Sequence, residues 1–234
     1  MGYATLSCGQ EEVVLSENLT SEETYTLLER TYGHVQWQPR RDPMSELIYT
    51  ILSQHTSDIN SIRAFESLID HFGVWEEVEN AEVKDIEMAI WAGGLARVKS
   101  QRIKDILISV RHRRGDLDLS FLGDMMLGDA KTWLMALPGV GPKTAAVVLC
   151  FALGMPAMPV DTHIYRVTKR LGLIEIKTTA EQAHDILEVS ISPEKIFGFH
   201  VYLINHGREV CKALRPRCPE CALRDKCPSA SLVS

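Results

Sequence analysis

Four cysteines fall within 17 residues, as Cys211-x6-Cys218-x2-Cys221-x5-Cys227. Pro216, Pro219 and Pro228 punctuate the run, so it reads as loop rather than helix. Four thiols in one loop of a reduced protein point to metal ligation. Structural zinc prefers two paired C-x2-C knuckles, and this run has one such pair. One compact loop supplying four thiolates also suits a [4Fe–4S] cube, and the spacing leaves both open. Cys8 and Cys150 stand apart, and Cys150 reads as a core residue because it lies in an apolar run.

A second candidate is Leu137-Pro138-Gly139-Val140-Gly141-Pro142-Lys143-Thr144-Ala145. Gly139 and Gly141 permit a tight turn with positive φ and keep side chains out of the way. Free amides there, backed by the start of the next helix, make an anion site. Set between two apolar helices, the pattern is a helix-hairpin-helix, a module that grips a DNA backbone without reading sequence. Lys143 falls in the first turn of the second helix. The positive helix end lowers its pKa, which would make it a nucleophile able to form a Schiff base. The bland reading is a surface lysine against phosphate. Asp161, in Val160-Asp161-Thr162-His163, is placed to cap a helix, or to hold a positive transition state opposite the lysine. His163 reads more safely as a helix-packing residue.

These groups need helices to position them, and helices are what the periodicities give. Asp42-Pro43 is an N-cap followed by proline at the first helical position. Ile59, Ile62, Phe65, Leu68, Ile69 and Phe72 form one face of a helix ending at Gly73. Thr20 to Glu23 and Thr179 to Gln182 are capping boxes. Val98, Ile103, Ile106, Leu107 and Val110 form one face of a further helix whose basic side reads as solvated. Strand alternation and hairpin dipeptides are missing. The expectation is an all-α protein of about ten helices, with a frayed tail from Pro228 to Ser234.

Of the 234 residues, 45% are hydrophobic and 24% charged, a globular balance that excludes disorder and a disulfide scaffold. The longest apolar run, Ala145 to Leu153, is nine residues, whereas a membrane span needs about 20. The net charge of −6 hides local positive runs at Arg97–Arg114 and Arg208–Lys226, which is what a polyanion would feel. Met1 to Thr20 lacks a basic n-region and an apolar core, and Leu6 stands where a myristoylation signal needs Ser or Thr. The expected location is therefore cytoplasmic, nucleoid-associated in a prokaryote.

The hairpin with Lys143, the Val160-Asp161-Thr162-His163 stretch, and His206-Gly207-Arg208 leading into the cysteine run together resemble endonuclease III, a family of helix-hairpin-helix DNA glycosylases that are also abasic-site lyases. The resemblance spans about Asp42 to Pro228. It implies a two-domain α fold: a six-helix barrel over residues 36–155, and a cluster domain from residues 1–35 and 156–234, with the DNA cleft between. It implies a [4Fe–4S] cluster on Cys211, Cys218, Cys221 and Cys227. It implies that Lys143 attacks C1′ of a flipped nucleotide, that Asp161 activates Lys143, and that β-elimination then cuts the strand. The partner is duplex DNA with oxidised pyrimidines or abasic sites, handled by a monomer. Leu95 resembles the family's wedge, Gly139, Val140 and Gly141 its phosphate grip, and Lys212, Arg215 and Arg217 its basic loop. Gln54 and His55 match the segment that fills the vacated gap. His55 stands where the best-known members carry Gln, and this chain's Gln lies one place earlier, so which of the two fills the gap stays open. Thr50 occupies the place of the catalytic Glu of adenine-specific relatives. The rival readings are a monofunctional mismatch glycosylase of the same fold and a non-catalytic iron–sulfur DNA-binding protein.

Overall fold

The computed structural model describes residues 19–230. Leu6, Cys8 and most of the N-terminal segment lie outside them, as do residues 231–234. The described residues contain eleven α-helices, five short 3-10 turns and no strand. The helices are α1 (Ser21–Tyr32), α2 (Pro43–Ser53), α3 (Asp58–Phe72), α4 (Trp75–Asn80), α5 (Val83–Ala89), α6 (Ala96–Arg114), α7 (Leu127–Met135), α8 (Pro142–Leu153), α9 (Thr162–Leu171), α10 (Ala180–Val189) and α11 (Ile196–Glu209). The starts fall where the sequence signals them. Thr20 and Thr179 close reciprocal capping boxes, and Asp42 accepts the Ser45 amide at 2.9 Å ahead of Pro43.

Two hydrophobic cores form. The first gathers α2 to α8 around Leu47, Ile48, Ile51, Leu52, Ile103, Leu107 and Val148. The second joins α1 to α9, α10 and α11 around Leu28, Ile164, Phe199, Tyr202 and Leu203. Chain from both sides of the first core thus builds the second. Helix α8 serves both: Val148 and Leu149 belong to the first core and Cys150 to the second. That double duty is why its sequence is apolar all round. Cys150 is buried as expected, and burial pushes its thiol up to about 12. Between the cores, Lys131 of α7 pairs with Glu188 of α10 at 2.6 Å, and Glu188 also accepts the Met158 amide at 2.9 Å.

The structure corrects four expectations. On α3 the buried residues are Ser61, Ala64 and Leu68, while Ile59 is 64% and Ile62 40% exposed. On α6, Val98 is exposed and Lys99 takes its place in the interior. The basic side of α6 is not simply solvated. Arg111 pairs with Glu76 and Glu79, Lys104 donates to the Ala81 carbonyl, and Arg113 and Arg114 lie over Trp133 and Phe121. Long basic side chains here cover the short helices and turns around α6. Finally, the first residues of the supposed tail are ordered: the Ala230 amide donates to the Cys227 carbonyl at 3.0 Å, and Ser229 and Ala230 line the cavity shared by the four cysteines.

Candidate active site and cysteine loop

The hairpin joins α7 to α8. Gly139 alone takes positive φ, at 72°. Gly141 is extended, with φ −103° and ψ −178°, so its role is not conformational relief. A Cβ at Gly139 would lie 2.3 Å from Arg102 Nε, whereas one at Gly141 would meet nothing within 4 Å. Val140 buries its side chain in the first core, and its amide donates to the Leu137 carbonyl at 3.2 Å. Helix α8 then starts with no side-chain cap, which leaves its first-turn amides open.

Lys143 stands in that first turn, exposed, with no hydrogen bond or ion pair to any described residue. It lines a cleft with Gln54 and Ser53 from the end of α2, Thr144, and Glu181 and His184 from α10. Helices that build both cores therefore meet around the lysine. Asp161 is the N-cap of α9, where one carboxylate oxygen accepts the Ile164 amide at 2.8 Å. Its neighbour Val160 lines the Lys143 cleft. Both Lys143 and Asp161 act electrostatically on His200, a buried residue of α11 whose Nδ1 donates to the Pro159 carbonyl at 2.9 Å. Burial lowers the His200 pKa to about 4, so at neutral pH the imidazole carries no charge. The cleft thus holds the unpartnered Lys143 side chain and Glu181, with Asp161 next in sequence to the lining residue Val160. His163 packs as the cautious reading expects, with Nδ1 3.2 Å from Arg166.

Gln54 and His55 are held differently. Arg102 donates to Gln54 Oε1 at 2.8 Å, and Gln54 Nε2 donates to Thr144 at 3.3 Å. His55 is exposed and left-handed, with φ 53°. Leu95 is 56% exposed and also left-handed, with φ 50°. Non-glycine residues seldom adopt this geometry, and among the described residues the third is Arg215 (φ 52°). All three are residues that the sequence singles out for DNA contact, and strain of this kind gathers at working sites.

The four cysteines line one cavity with Arg170, Leu171 and His206. A tetrahedral zinc with Zn–S of about 2.3 Å needs sulfurs roughly 3.8 Å apart. Among the described residues no three of Cys, His, Asp or Glu come close enough together to hold one metal ion. The four cysteines share one cavity, and thiolates are donors that suit either zinc or an iron–sulfur group. Arg170 donates to Cys211 Sγ at 3.4 Å and to the Lys212 carbonyl at 2.7 Å, and the Leu223 amide donates to Cys221 Sγ at 3.4 Å. In the basic loop Arg215 is exposed, Lys212 is half-buried, and Arg217 lies 3.6 Å from Glu220. This loop is tied to α9 rather than to the Lys143 cleft.

Comparison with known proteins gives the same outline. Residues 48–193 match the family model of the HhH-GPD superfamily of base excision DNA repair proteins. The chain is 39% identical to a provisionally named DNA glycosylase of Arabidopsis thaliana, over 78% of its own length and 63% of the relative's. It is 33% identical to endonuclease III of Thermotoga maritima, over 80% of its own length and 83% of the relative's. A solved non-covalent endonuclease III–DNA complex superposes with a TM-score of 0.76 at 29% identity, covering 92% of this chain and 98% of the other. The chain belongs to the HhH-GPD superfamily and, within it, to the endonuclease III family of DNA glycosylases.

Sequence reasoning did not single out Lys99, Arg102 or His200. Lys99 was within reach, since it stands four residues before Ile103 on the buried face of α6. Arg102 and His200 gain meaning only from contacts distant in sequence.

Proposed function

We propose that this protein is a bifunctional DNA glycosylase and abasic-site lyase that removes oxidised pyrimidines from duplex DNA as a monomer. The observation that carries the reading is a lysine with no protein partner at the uncapped start of α8, in one cleft with groups from helices that build both cores. A damaged nucleotide is turned out of the duplex into that cleft. Lys143 Nζ attacks C1′ as the base leaves with the bonding electrons. Asp161 uses its remaining oxygen to draw the proton from Lys143 and to stabilise the cationic sugar. The nitrogen lone pair then opens the sugar ring, breaking the C1′–O4′ bond as O4′ takes a proton, and loss of a C2′ proton from the resulting Schiff base expels the 3′ phosphate and cuts the strand. Neutral His200, which Lys143 and Asp161 both influence electrostatically, adds no positive charge near them.

His55 fills the vacated gap, because Gln54 is already engaged by Arg102 and Thr144. Leu95 enters beside it as the wedge. The amides around Gly139–Gly141 hold phosphate, with Lys212, Arg215 and Arg217 adding charge along the backbone. Cys211, Cys218, Cys221 and Cys227 would hold a [4Fe–4S] cluster, which supplies a rigid crosslink for the basic loop.

The variant Lys143→Gln tests the assignment. Strand cleavage at an abasic site falls by a factor on the order of a thousand or more, while affinity for the duplex changes little. Cleavage at the normal rate would reduce Lys143 to a phosphate contact.

A further inference from the structure

We propose that Lys99 is a positioning residue that locks the gap-filling loop and the wedge loop together, so that His55 and Leu95 enter DNA as one unit. This rests on the reading of those two residues given above. Lys99 is 2% exposed. Its Nζ lies 2.6 Å from the Leu52 carbonyl, 2.6 Å from Thr56 Oγ1 and 3.0 Å from the Gly93 carbonyl. Leu52 and Thr56 flank His55. Gly93 precedes Leu95 by two residues, and the Lys99 amide donates to the Leu95 carbonyl at 3.0 Å. The Thr56 hydroxyl donates in turn to the Gly93 carbonyl. One ammonium therefore joins the two loops that carry two of the three left-handed non-glycine residues among those described.

The chemistry is matched and specific. An ammonium has three N–H donors, and three oxygens receive them. None of the three is a carboxylate, so the charge is buried without an ion-pair partner, which is costly unless the hydrogen bonds are all made. Burial, with the positive charge of Arg102 nearby, lowers the lysine pKa to about 8. The neutral amine has two N–H groups for three acceptors, so the clamp is complete only in the protonated form. Gly93 is also pressed onto α3, where a Cβ would fall 2.9 Å from that of Ala64. The wedge loop is thus fixed on one side by packing and on the other by Lys99.

The test is a double-mutant cycle on the full-length holoprotein. Affinity is measured for a duplex carrying a tetrahydrofuran abasic analogue opposite 2-aminopurine, whose fluorescence reports insertion. If the clamp couples the loops, His55→Ala and Leu95→Ala each weaken binding, and the double variant is at least about threefold less impaired than the product of the singles. In the Lys99→Met and Thr56→Val backgrounds the same two substitutions become multiplicative, and Thr56→Ser restores the coupling. Melting temperature is followed throughout. Should Lys99→Met not fold, Thr56→Val against Thr56→Ser decides alone. Multiplicative effects in the otherwise wild-type protein, or coupling that persists in folded Thr56→Val, would overturn the clamp. Single variants with no effect on binding or fluorescence would overturn the insertion reading itself, and the clamp with it.

Discussion

Asp161 caps α9, and in the proposed mechanism it has a second task that the same side chain can share. As N-cap it gives one oxygen to the Ile164 amide, and its other oxygen has no described partner. Asparagine caps a helix about as well as aspartate but carries no charge. Asp161→Asn should therefore leave the melting temperature within a degree or two and slow turnover by roughly tenfold or more. Full activity in that variant would leave Asp161 as a cap only. His200 belongs to the same scale. Its folded pKa of about 4 lies below the ordinary value of 6.5, so the fold favours the neutral ring. Its stability contribution is complete above pH 6.5 and is lost as pH falls from 6.5 towards 4. The loss reaches about 3 kcal/mol at most. His200→Gln cannot take up a proton, so its denaturation midpoint should fall less steeply over that window at equal metal content.

At the scale of elements, the hairpin separates two glycines that look equivalent in sequence. Gly139 needs its left-handed backbone and lies under Arg102, while Gly141 is extended with open space around it. Gly139→Ala should cost about 1–2 kcal/mol in chemical denaturation, and Gly141→Ala less than about 0.5. Equal costs would contradict the assignment of the turn. The same element shows how far sequence reaches. The caps at Thr20, Asp42, Asp161 and Thr179 were legible because a cap is a local event, decided within four residues. The inward face of α3 was not. Its isoleucines have helical spacing, yet Ile59 and Ile62 point to solvent because the neighbouring 3-10 turn packs on Ala64 instead. The role of the α6 cations was hidden for a similar reason. Their partners Glu76, Glu79, Ala81 and Gln54 come from other elements, and only the fold brings them within reach.

At the scale of the molecule, two cores share α8 and are tied by Lys131, Glu188 and the Met158 amide. Lys143, the proposed nucleophile, lies in a cleft lined from α2, α8 and α10, and Asp161 caps α9 next to the cleft residue Val160. The motif residues Lys143, Asp161 and the four cysteines could be named from sequence because their types and spacings are rare in combination. The meeting of α2, α8 and α10 around Lys143 could not, since it depends on how the chain returns to the first core after α8. The net charge of −6 is a poor guide to local field for the same reason: the acids lie apart from the basic runs in sequence, yet the fold pairs Arg111 with Glu76 and Glu79, and Lys226 with Glu23. The central claim is that this assembled cleft makes Lys143 a nucleophile towards C1′. Borohydride trapping on a duplex with one abasic site, with wild type beside Lys143→Ala, tests it most directly. The account predicts a covalent protein–DNA adduct from wild type and none from the variant. No adduct from folded, cluster-loaded wild type, or an equal yield from Lys143→Ala, would contradict it.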